Sequence, residues 1–290
     1  MQNEAISKEA MALTFVLYLM APIALAQPIE LTMMNQSVDD SFGGCRDEMA
    51  SKVLDLYFPR ESQNPPFQNA WSLAEPCSHR DQDELPDHHK ALTKHQLQSL
   101  CVYTNASTRM YAILNAQIRK GAPMYDTASF QYHALYFWIT TALQVLKESC
   151  ETTYKRTRDV YKGQIGSKIR FGYLTSTSRS PYVVEYGTET CFHIRTCLGA
   201  FIGNYSVAPS EEEVLVPSYE EFRIVDIVSD SYGSLECKKI FVLESVGFSS
   251  DLNCAAVNHS QGIRANVLLI VILLTSVLAP SPSCVINTLL

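Results

Sequence analysis

Residues 171–178 read FGYLTSTS, an apolar strand pattern that runs directly into four consecutive hydroxyl side chains. Two other segments also combine a strand pattern with reactive groups. Residues 160–163, VYKG, end a strand with the cation Lys162, and residues 211–217, EEEVLVP, begin an apolar strand with an acidic triplet. Taken alone, each has a simpler explanation, because single lysines, serine-threonine runs and glutamates usually lie on the solvated surface or in turns.

The acidic triplet has a geometric property of its own. In an extended chain Glu211 and Glu213 lie on the same face, whereas Glu212 points to the other face. Two carboxylates this close raise each other's pKa, because each disfavours the charged form of the other. Carboxylates with perturbed pKa values occur often in functional sites. The triplet is therefore a candidate paired-carboxylate site, with a solvated surface as the simpler alternative.

The rest of the chain changes its periodicity near residue 150. Before that point, apolar residues recur at helical spacing, most clearly over 129–146 and also over 92–101 and 111–121. After it, short β-rich runs are separated by Gly, Pro, Ser and Asn. Helices followed by strands indicate an α+β fold with a mainly antiparallel sheet. The predicted strands are 159–162, 168–175, 191–197, 213–217, 222–228 and 238–243.

The composition excludes some broad classes of protein. With 47% hydrophobic and 18% charged residues, the 290-residue chain can bury a core, which excludes general disorder. A formal net charge of −7 without a basic cluster argues against nucleic-acid binding. Nine cysteines indicate an oxidising compartment. His88, His89 and His95 offer imidazoles, but no cysteine or carboxylate completes a spaced ligand set, so the sequence predicts no metal site.

Both ends of the chain predict processing in the secretory pathway. Residues 10–26 form a short apolar run closed by the triplet ALA, which predicts a signal peptide that ends at Ala26; the alternative is a buried helix. Residues 267–278 form a second apolar run with a polar spacer before it and no Lys or Arg after it. That layout predicts a GPI-anchor signal, with a transmembrane anchor as the alternative. Four Asn-x-Ser/Thr sites fit this compartment: Asn35, Asn105, Asn204 and Asn258.

Taken in order, the cation-bearing strand, the S-T-S strand and the E-x-E strand resemble the R-S-E-x-E signature of the arginine-specific mono-ADP-ribosyltransferases, the vertebrate ecto-enzymes. Residues 130–146, FQYHALYFWITTALQVL, are similar to the family's long helix, and residues 196–222 to its catalytic segment. The resemblance implies an N-terminal helical part packed on two antiparallel sheets, with NAD in the cleft between them. It implies the disulfides Cys45–Cys254 and Cys150–Cys197, with Cys77–Cys101 as a further candidate, and leaves Cys191 and Cys237 unassigned.

The resemblance also implies a reaction: a single ADP-ribose passes from NAD, or from NADP, to arginine side chains of extracellular or cell-surface proteins, and nicotinamide is released without a metal. Glu213 would stabilise the oxocarbenium-like cation on the ribose, and Ser176 would position Glu213. Glu211 would receive the acceptor guanidinium through paired hydrogen bonds. The residues that the resemblance implies for NAD binding are Tyr161, Lys162, Gly163, Thr175, Ser176, Thr177 and Ser178.

The predicted division of the chain is a signal peptide at 1–26, an ADP-ribosyltransferase domain at 27–258 and a removed tail at 259–290. This division predicts a protein held by a GPI anchor on the extracellular face of the plasma membrane. The alternatives are secretion and a single C-terminal transmembrane anchor.

Two departures from the family pattern keep other functions open. Lys162 stands where the motif has arginine. The lysine ammonium is a single charge, whereas the planar arginine guanidinium has five N–H donors, so the exchange costs about 1.5–3 kcal/mol in NAD binding. The segment from Lys162 to Ser176 is also shorter than in the family. Arg156, Arg158 and Arg170 are candidates to compensate. A catalytically weak or silent surface protein of the same fold is one alternative function, and an NAD glycohydrolase is the other.

Overall fold

Helices form the first half of the described chain, which comprises residues 27–79 and 85–257 of this computed structural model. The predicted signal peptide and hydrophobic tail lie outside these residues. Within the two stretches, no helix has the length and apolarity needed to cross a membrane. The helices are α1 (Arg46–Lys52), α2 (Phe58–Glu61), α3 (Pro65–Ser78), α4 (Lys94–Thr104), α5 (Met110–Lys120) and α6 (His133–Leu146).

Helix α6 is the centre of the helical layer. Its sequence, HALYFWITTALQVL, is apolar around most of its circumference, and nearly every side chain is buried. The predicted helix at 129–146 begins later, at His133, because the buried Glu61 carboxylate accepts hydrogen bonds from the backbone N–H groups of Ala134 (2.7 Å) and Leu135 (3.3 Å). These donors would otherwise be unsatisfied in the first helical turn. Helices α4 and α5 lie where the periodicity predicts them, whereas α1, α2 and α3 were not predicted.

A mostly antiparallel sheet of eight strands forms the second half, which confirms the α+β class. In spatial order the strands are β4-β9-β10-β6-β2-β5-β8-β7, and β6 with β10 is the parallel pair. The two sheets that the resemblance implies are continuous here. A single residue pair in the described chain, Tyr154 with Ser178, joins the three-stranded part β5-β8-β7 to the other five strands. These strands are β2 (Glu151–Thr157), β4 (Lys168–Ile169), β5 (Thr175–Ser178), β6 (Thr190–Thr196), β7 (Ala200–Phe201), β8 (Glu213–Val216), β9 (Glu220–Tyr232) and β10 (Leu235–Phe248).

A second, parallel sheet consists of two short strands, β1 (Ile29–Glu30) and β3 (Tyr161–Lys162). Backbone bonds from Ile29 to Val160 and from Leu31 to Lys162, both 2.8 Å, hold β3 beside β1. The predicted strand at 159–162 is therefore shorter than expected and pairs away from the eight-stranded sheet.

The predicted strand at 168–175 is wrong as a single element. It ends at Ile169 and resumes at Thr175, because Gly172 adopts a φ of +69°, which only glycine adopts readily. A side chain at Gly172 would meet Met34 at 2.5 Å, so the N-terminal segment also requires a glycine there. Strand β2 was missed, since its sequence ETTYKRT is polar although it lies between β6 and β5.

The described residues form four disulfides: Cys45–Cys254, Cys77–Cys101, Cys150–Cys197 and Cys191–Cys237. The first and third are the pairs that the resemblance implies, the second is the further candidate, and the fourth joins the two unassigned cysteines. Cys45–Cys254 closes a loop of 209 residues and ties α1 to the segment after β10. A cross-link over so long a loop strongly restricts the unfolded chain.

A buried ion pair attaches the N-terminal segment to the sheet. The Arg170 guanidinium contacts the Asp39 carboxylate at 2.6 Å and donates to the carbonyl of Met33 at 2.8 Å. Both charged side chains are almost completely buried. Arg170 is therefore a structural residue, and it is not available to replace the arginine that the family motif has in place of Lys162.

Candidate active site

A cleft of about 640 Å³ opens where the two parts of the eight-stranded sheet meet. Strands β2 and β5 form its floor, α5 and the end of α4 form one wall, and the turn Val184–Tyr186 forms part of the rim. The charged and aromatic residues that line it include Tyr103, Arg119, Tyr154, Lys155, Arg156, Tyr161, Tyr173, Tyr186, Glu211 and Glu213.

Glu213 is the first residue of β8 and is 5% exposed. Burial raises the pKa of its carboxyl to about 7, because the charged form loses solvation. A hydrogen bond from Ser176 and the charge of Lys155 act in the opposite direction, while the nearby Glu211 charge raises the pKa further. The second carboxylate, expected from the sequence to cause this pKa shift, is a smaller cause than desolvation.

Helices α4 and α5 fix the chain just before Ser176. The Tyr103 hydroxyl and the Asn115 amide both donate to the carbonyl of Leu174, at 2.7 and 3.0 Å. The Leu174 N–H donates in turn to Asn115 Oδ1 at 3.2 Å. The Asn115 amide also donates to the Tyr103 hydroxyl at 3.0 Å. Neither Tyr103 nor Asn115 was predicted from the sequence, although a polar residue on the buried face of a helix was an available signal.

The other hydroxyls of the S-T-S strand hold backbone. Thr177 donates to the carbonyl of Val214 at 2.6 Å, and Ser178 donates to the carbonyl of Glu211 at 2.7 Å. Both residues also line the cleft. Thr175 is fully buried, its hydroxyl donates to the carbonyl of Tyr173 at 3.1 Å, and it does not line the cleft. The expectation that Thr175 binds NAD therefore does not fit its position.

The predicted extended geometry of the acidic triplet is wrong. Glu211 ends the short 3-10 turn Pro209–Glu211, and Glu212 adopts a left-handed conformation with φ of +47°, so β8 begins only at Glu213. Glu211 and Glu213 nevertheless both line the cleft, since the turn at Glu212 brings the chain back toward it. Glu211 is exposed, whereas Glu213 is buried.

A tyrosine that the sequence analysis missed contacts the exposed carboxylate. The Tyr186 hydroxyl donates to Glu211 Oε1 at 3.1 Å. Burial and the adjacent Glu211 charge raise the pKa of Tyr186 to about 12, so the phenol remains a hydrogen-bond donor at neutral pH. Tyr186 therefore orients the carboxylate toward the cleft entrance.

The structure places the predicted cation elsewhere. Lys162 lies on the separate two-stranded sheet, because β3 pairs with β1 rather than with β2 or β5. Gly163 follows it directly, and both residues line a different depression. In the cleft the corresponding cation is Lys155 on β2, whose Nζ donates to the carbonyl of Ser176 at 3.2 Å. Of the predicted trio 161–163, Tyr161 alone lines the cleft.

The three arginines that were candidates to replace the missing motif arginine, Arg156, Arg158 and Arg170, all have structural partners. Arg156 donates to the carbonyls of Pro181 and Glu236, both at 2.8 Å, and Arg158 donates to the carbonyl of Glu185 at 2.8 Å. Arg170 is bound to Asp39 as described above. Arg119 on α5 is another cation at the cleft, with its guanidinium 3.8 Å from the centre of the Tyr173 ring.

The arrangement supports a particular kind of chemistry. A buried carboxylate beside a hydroxyl and a cation can stabilise positive charge that develops on a bound substrate. An exposed carboxylate at the entrance can accept the paired donors of a guanidinium. The cleft brings these two groups together, and Lys155 and Arg119 add positive charge that suits a phosphate-containing substrate.

Known proteins match this chain over most of its length. The family model described as NAD:arginine ADP-ribosyltransferase matches residues 31–238. Ecto-ADP-ribosyltransferase 5 of Mus musculus is 31% identical over 221 residues, which cover 71% of each chain. NAD(P)(+)--arginine ADP-ribosyltransferase 1 of Gallus gallus is 30% identical over 239 residues, or 80% of this chain and 74% of that protein. GPI-linked NAD(P)(+)--arginine ADP-ribosyltransferase 1 of Homo sapiens is 27% identical over 259 residues, or 81% and 77%.

Solved structures show the same fold. The crystal structure of the eukaryotic mono-ADP-ribosyltransferase ART2.2 superposes with a TM-score of 0.67 at 26% identity, and the match covers 78% of this chain and 99% of that one. A mutant of ART2.2 in complex with NAD gives a TM-score of 0.65 at 26% identity, with the same coverage.

The raised pKa of Glu213 makes a prediction about stability. The native state holds the Glu213 proton more tightly than the unfolded chain, in which the pKa is 4.5. This contribution to stability is therefore complete below pH 4.5 and is lost as the pH rises through 7. We expect the unfolding free energy of the wild type, relative to Glu213→Gln, to fall by about 3 kcal/mol between pH 4.5 and pH 8.

Denaturant unfolding at several pH values, with disulfides intact, measures this difference. The buried Glu61, whose pKa is also raised, titrates in both proteins and cancels. Glu212→Gln, at an exposed position, is the control, and its difference from the wild type in unfolding free energy should not change in this way with pH. A wild-type-minus-Glu213→Gln difference that is constant across this range would contradict the prediction.

Proposed function

The chain belongs to the NAD:arginine ADP-ribosyltransferase family, and from this premise we propose that its cleft transfers a single ADP-ribose from NAD to arginine side chains of extracellular or cell-surface proteins, releasing nicotinamide. The observation that carries the proposal is the placement of buried Glu213, supported by Ser176 and Lys155, in the same cleft as the exposed Glu211. NAD is the co-substrate, and the proposed reaction requires no metal.

Glu213 is proposed to act on the ribose. When the nicotinamide–ribose bond breaks, its electron pair leaves with nicotinamide and positive charge develops on the sugar. An ionised carboxylate held in a water-poor site stabilises that charge more strongly than water does. The positive nicotinamide ring of bound NAD also favours the ionised form of Glu213, whose pKa near 7 otherwise leaves it partly protonated at neutral pH.

Glu211 is proposed to receive the acceptor. A guanidinium can bridge its two carboxylate oxygens, and Tyr186 occupies one of them in the absence of acceptor. A guanidinium nitrogen then forms the new bond to the ribose carbon, and its proton passes to Glu211. The turn at Glu212 gives Glu211 its exposed position, where the arginine of a folded protein can reach it.

Lys155, rather than Lys162, is proposed to be the cation that the family motif supplies for NAD binding. Its amine lies beside Ser176 and favours the charged form of Glu213. With Arg119 it also supplies positive charge for the phosphates of NAD. Lys162 and the length of the segment after it then have no bearing on the chemistry, so neither argues for a silent protein.

The chain is also proposed to be held on the extracellular surface by a GPI anchor that replaces the predicted tail at 259–290. A relative described as GPI-linked supports this expectation. Ala256 is completely buried, and its carbonyl accepts hydrogen bonds from Tyr57 at 2.8 Å and from Lys52. The folded domain therefore extends to at least Val257, and the anchor is proposed to attach beyond that residue.

Two matched substitutions test the roles of the carboxylates. Glu213→Gln should reduce both transfer to a small guanidino acceptor and NAD hydrolysis by about 100- to 1,000-fold, because charge stabilisation in the transition state is lost. Glu211→Gln should reduce transfer by a similar factor and leave NAD hydrolysis nearly unchanged. Glu212→Gln is the control. Parallel loss of both activities in Glu211→Gln, or full activity in Glu213→Gln, would contradict these assignments.

A second pair of variants tests which lysine serves the cleft. Lys155→Gln should lower kcat/KM for NAD by about 10- to 100-fold, as expected for the loss of one charge-assisted interaction. Lys162→Gln carries the same change in charge on the neighbouring sheet and should remain within about twofold of the wild type. Steady-state kinetics with varied NAD measures both, and the reverse ranking would restore the original assignment of Lys162.

The anchor proposal is tested on intact cells. Phosphatidylinositol-specific phospholipase should release the mature protein into the medium, since it cleaves the lipid from a GPI anchor. A known transmembrane protein on the same cells is the control and should be retained. Retention of this protein together with that control would favour the transmembrane alternative.

A further inference from the structure

The helical side of the molecule carries a second cluster of ionisable residues. One ring nitrogen from each of His88 and His89 and one carboxylate oxygen of Glu148 lie within 4.8 Å of one another. His88 Nε2 is 3.9 Å from Glu148 Oε1, and the two imidazole rings are 4.1 Å apart. These residues do not line the cleft, so the cluster is distinct from the candidate active site.

His89 is the unusual member of this cluster. It is 8% exposed, and its Nδ1 lies 2.7 Å from the Tyr205 hydroxyl. Its other nitrogen, Nε2, is buried and has no hydrogen-bond partner among residues 27–79 and 85–257. Folded proteins rarely leave a buried polar atom unsatisfied, and a bound ion accounts for some of the exceptions. The His89 ring therefore combines an unsatisfied buried nitrogen with a neighbouring histidine and carboxylate, which is the environment of a metal ligand.

We propose that His88, His89 and Glu148 bind a zinc ion. Imidazole nitrogen and carboxylate oxygen are among the ordinary ligands of Zn²⁺, and three protein ligands with a water complete a tetrahedron. Ligand distances of about 2.0–2.1 Å require donor atoms roughly 3.4 Å apart. The His88 and Glu148 side chains are 64% and 70% exposed, so they can rotate and bring the three donor atoms to that distance.

Tyr205 acts as the supporting group of the site. When His89 Nδ1 donates its proton to the Tyr205 oxygen, the lone pair of Nε2 is left free for the metal. Second partners of this kind fix the tautomer and the ring orientation of metal-binding histidines. The neighbouring turn Gly203–Tyr205 is thereby linked to the site.

Folding brings the third ligand, Glu148, to the two histidines, which had no third ligand nearby in the sequence. His88 and His89 lie in the short 3-10 turn Asp87–His89, and this turn packs against α6. Glu148 follows the end of that helix, so it reaches the two histidines although it is distant along the chain. Zinc bound here would join the turn, the end of α6 and Tyr205. It would not take part in the transfer reaction, because none of these residues lines the cleft.

Zinc titration of the mature protein tests the proposal. The protein is expressed in animal cells without a histidine tag, purified in detergent, stripped with a chelator and titrated with ZnCl₂ against a chromophoric competitor. We expect one equivalent of zinc per chain. His88→Ala and Glu148→Gln, both at exposed positions, should each weaken binding at least tenfold, and Tyr205→Phe should weaken it by about 10- to 100-fold.

A matched control is present in the same layer. His79 and Glu75 form an exposed pair at 3.6 Å with no third ligand among the described residues. His79→Ala should therefore leave zinc binding unchanged. The proposal is overturned if the wild type binds no stoichiometric zinc, if His88→Ala and Glu148→Gln bind it as tightly as the wild type, or if His79→Ala weakens binding as much as they do.

Discussion

The hydroxyl groups of β5 hold the two parts of the sheet together, and the cleft depends on them. One residue pair joins β5 to β2 through the backbone, so the junction relies on side chains. The Thr153 hydroxyl donates to Thr177 at 2.7 Å, and Thr177 donates onward to the carbonyl of Val214 on β8. Ser178 then fixes the turn that carries Glu211. A strand rich in serine and threonine therefore aligns three neighbouring segments.

Burial alone does not distinguish the proposed catalytic carboxylate from structural ones. Glu61 is as deeply buried as Glu213, and burial raises its pKa to about 8. Its oxygens are occupied by the backbone donors of α6, however, and it does not line the cleft. Glu213 receives a hydroxyl and a nearby cation in place of backbone donors. The difference lies in access, since only a carboxylate that borders open space can act on a substrate.

The sequence was sufficient for the elements with strong periodicity and for the order of the motifs. The helices α4 to α6 follow from local patterns, because apolar spacing determines which face is buried. The choice of Glu211 and Glu213 follows from the E-x-E motif, although their backbone geometry does not. The sequence did not decide whether Lys155 or Lys162 is the cation at the cleft, since the dipeptide Tyr-Lys occurs at 154–155 and again at 161–162. Pairing with distant strands decides which copy faces the cleft. The left-handed turn at Glu212 and the approach of Glu148 to His88 likewise depend on contacts that no local pattern encodes.

The way in which the domain ends determines how it responds to mechanical tension. The described chain leaves β10 at Phe248, passes Cys254 and ends against α1 and the π-helical turn Val53–Tyr57 that follows it. There Lys52 and Tyr57 donate hydrogen bonds to the carbonyl of Ala256. A pull on the chain beyond Val257 reaches these contacts first and then the covalent bond from Cys254 to Cys45. The load therefore enters the helical layer before it can peel β10 from the sheet. Force applied through an attachment at this end therefore acts on the helical layer first and leaves the strands that form the cleft in place.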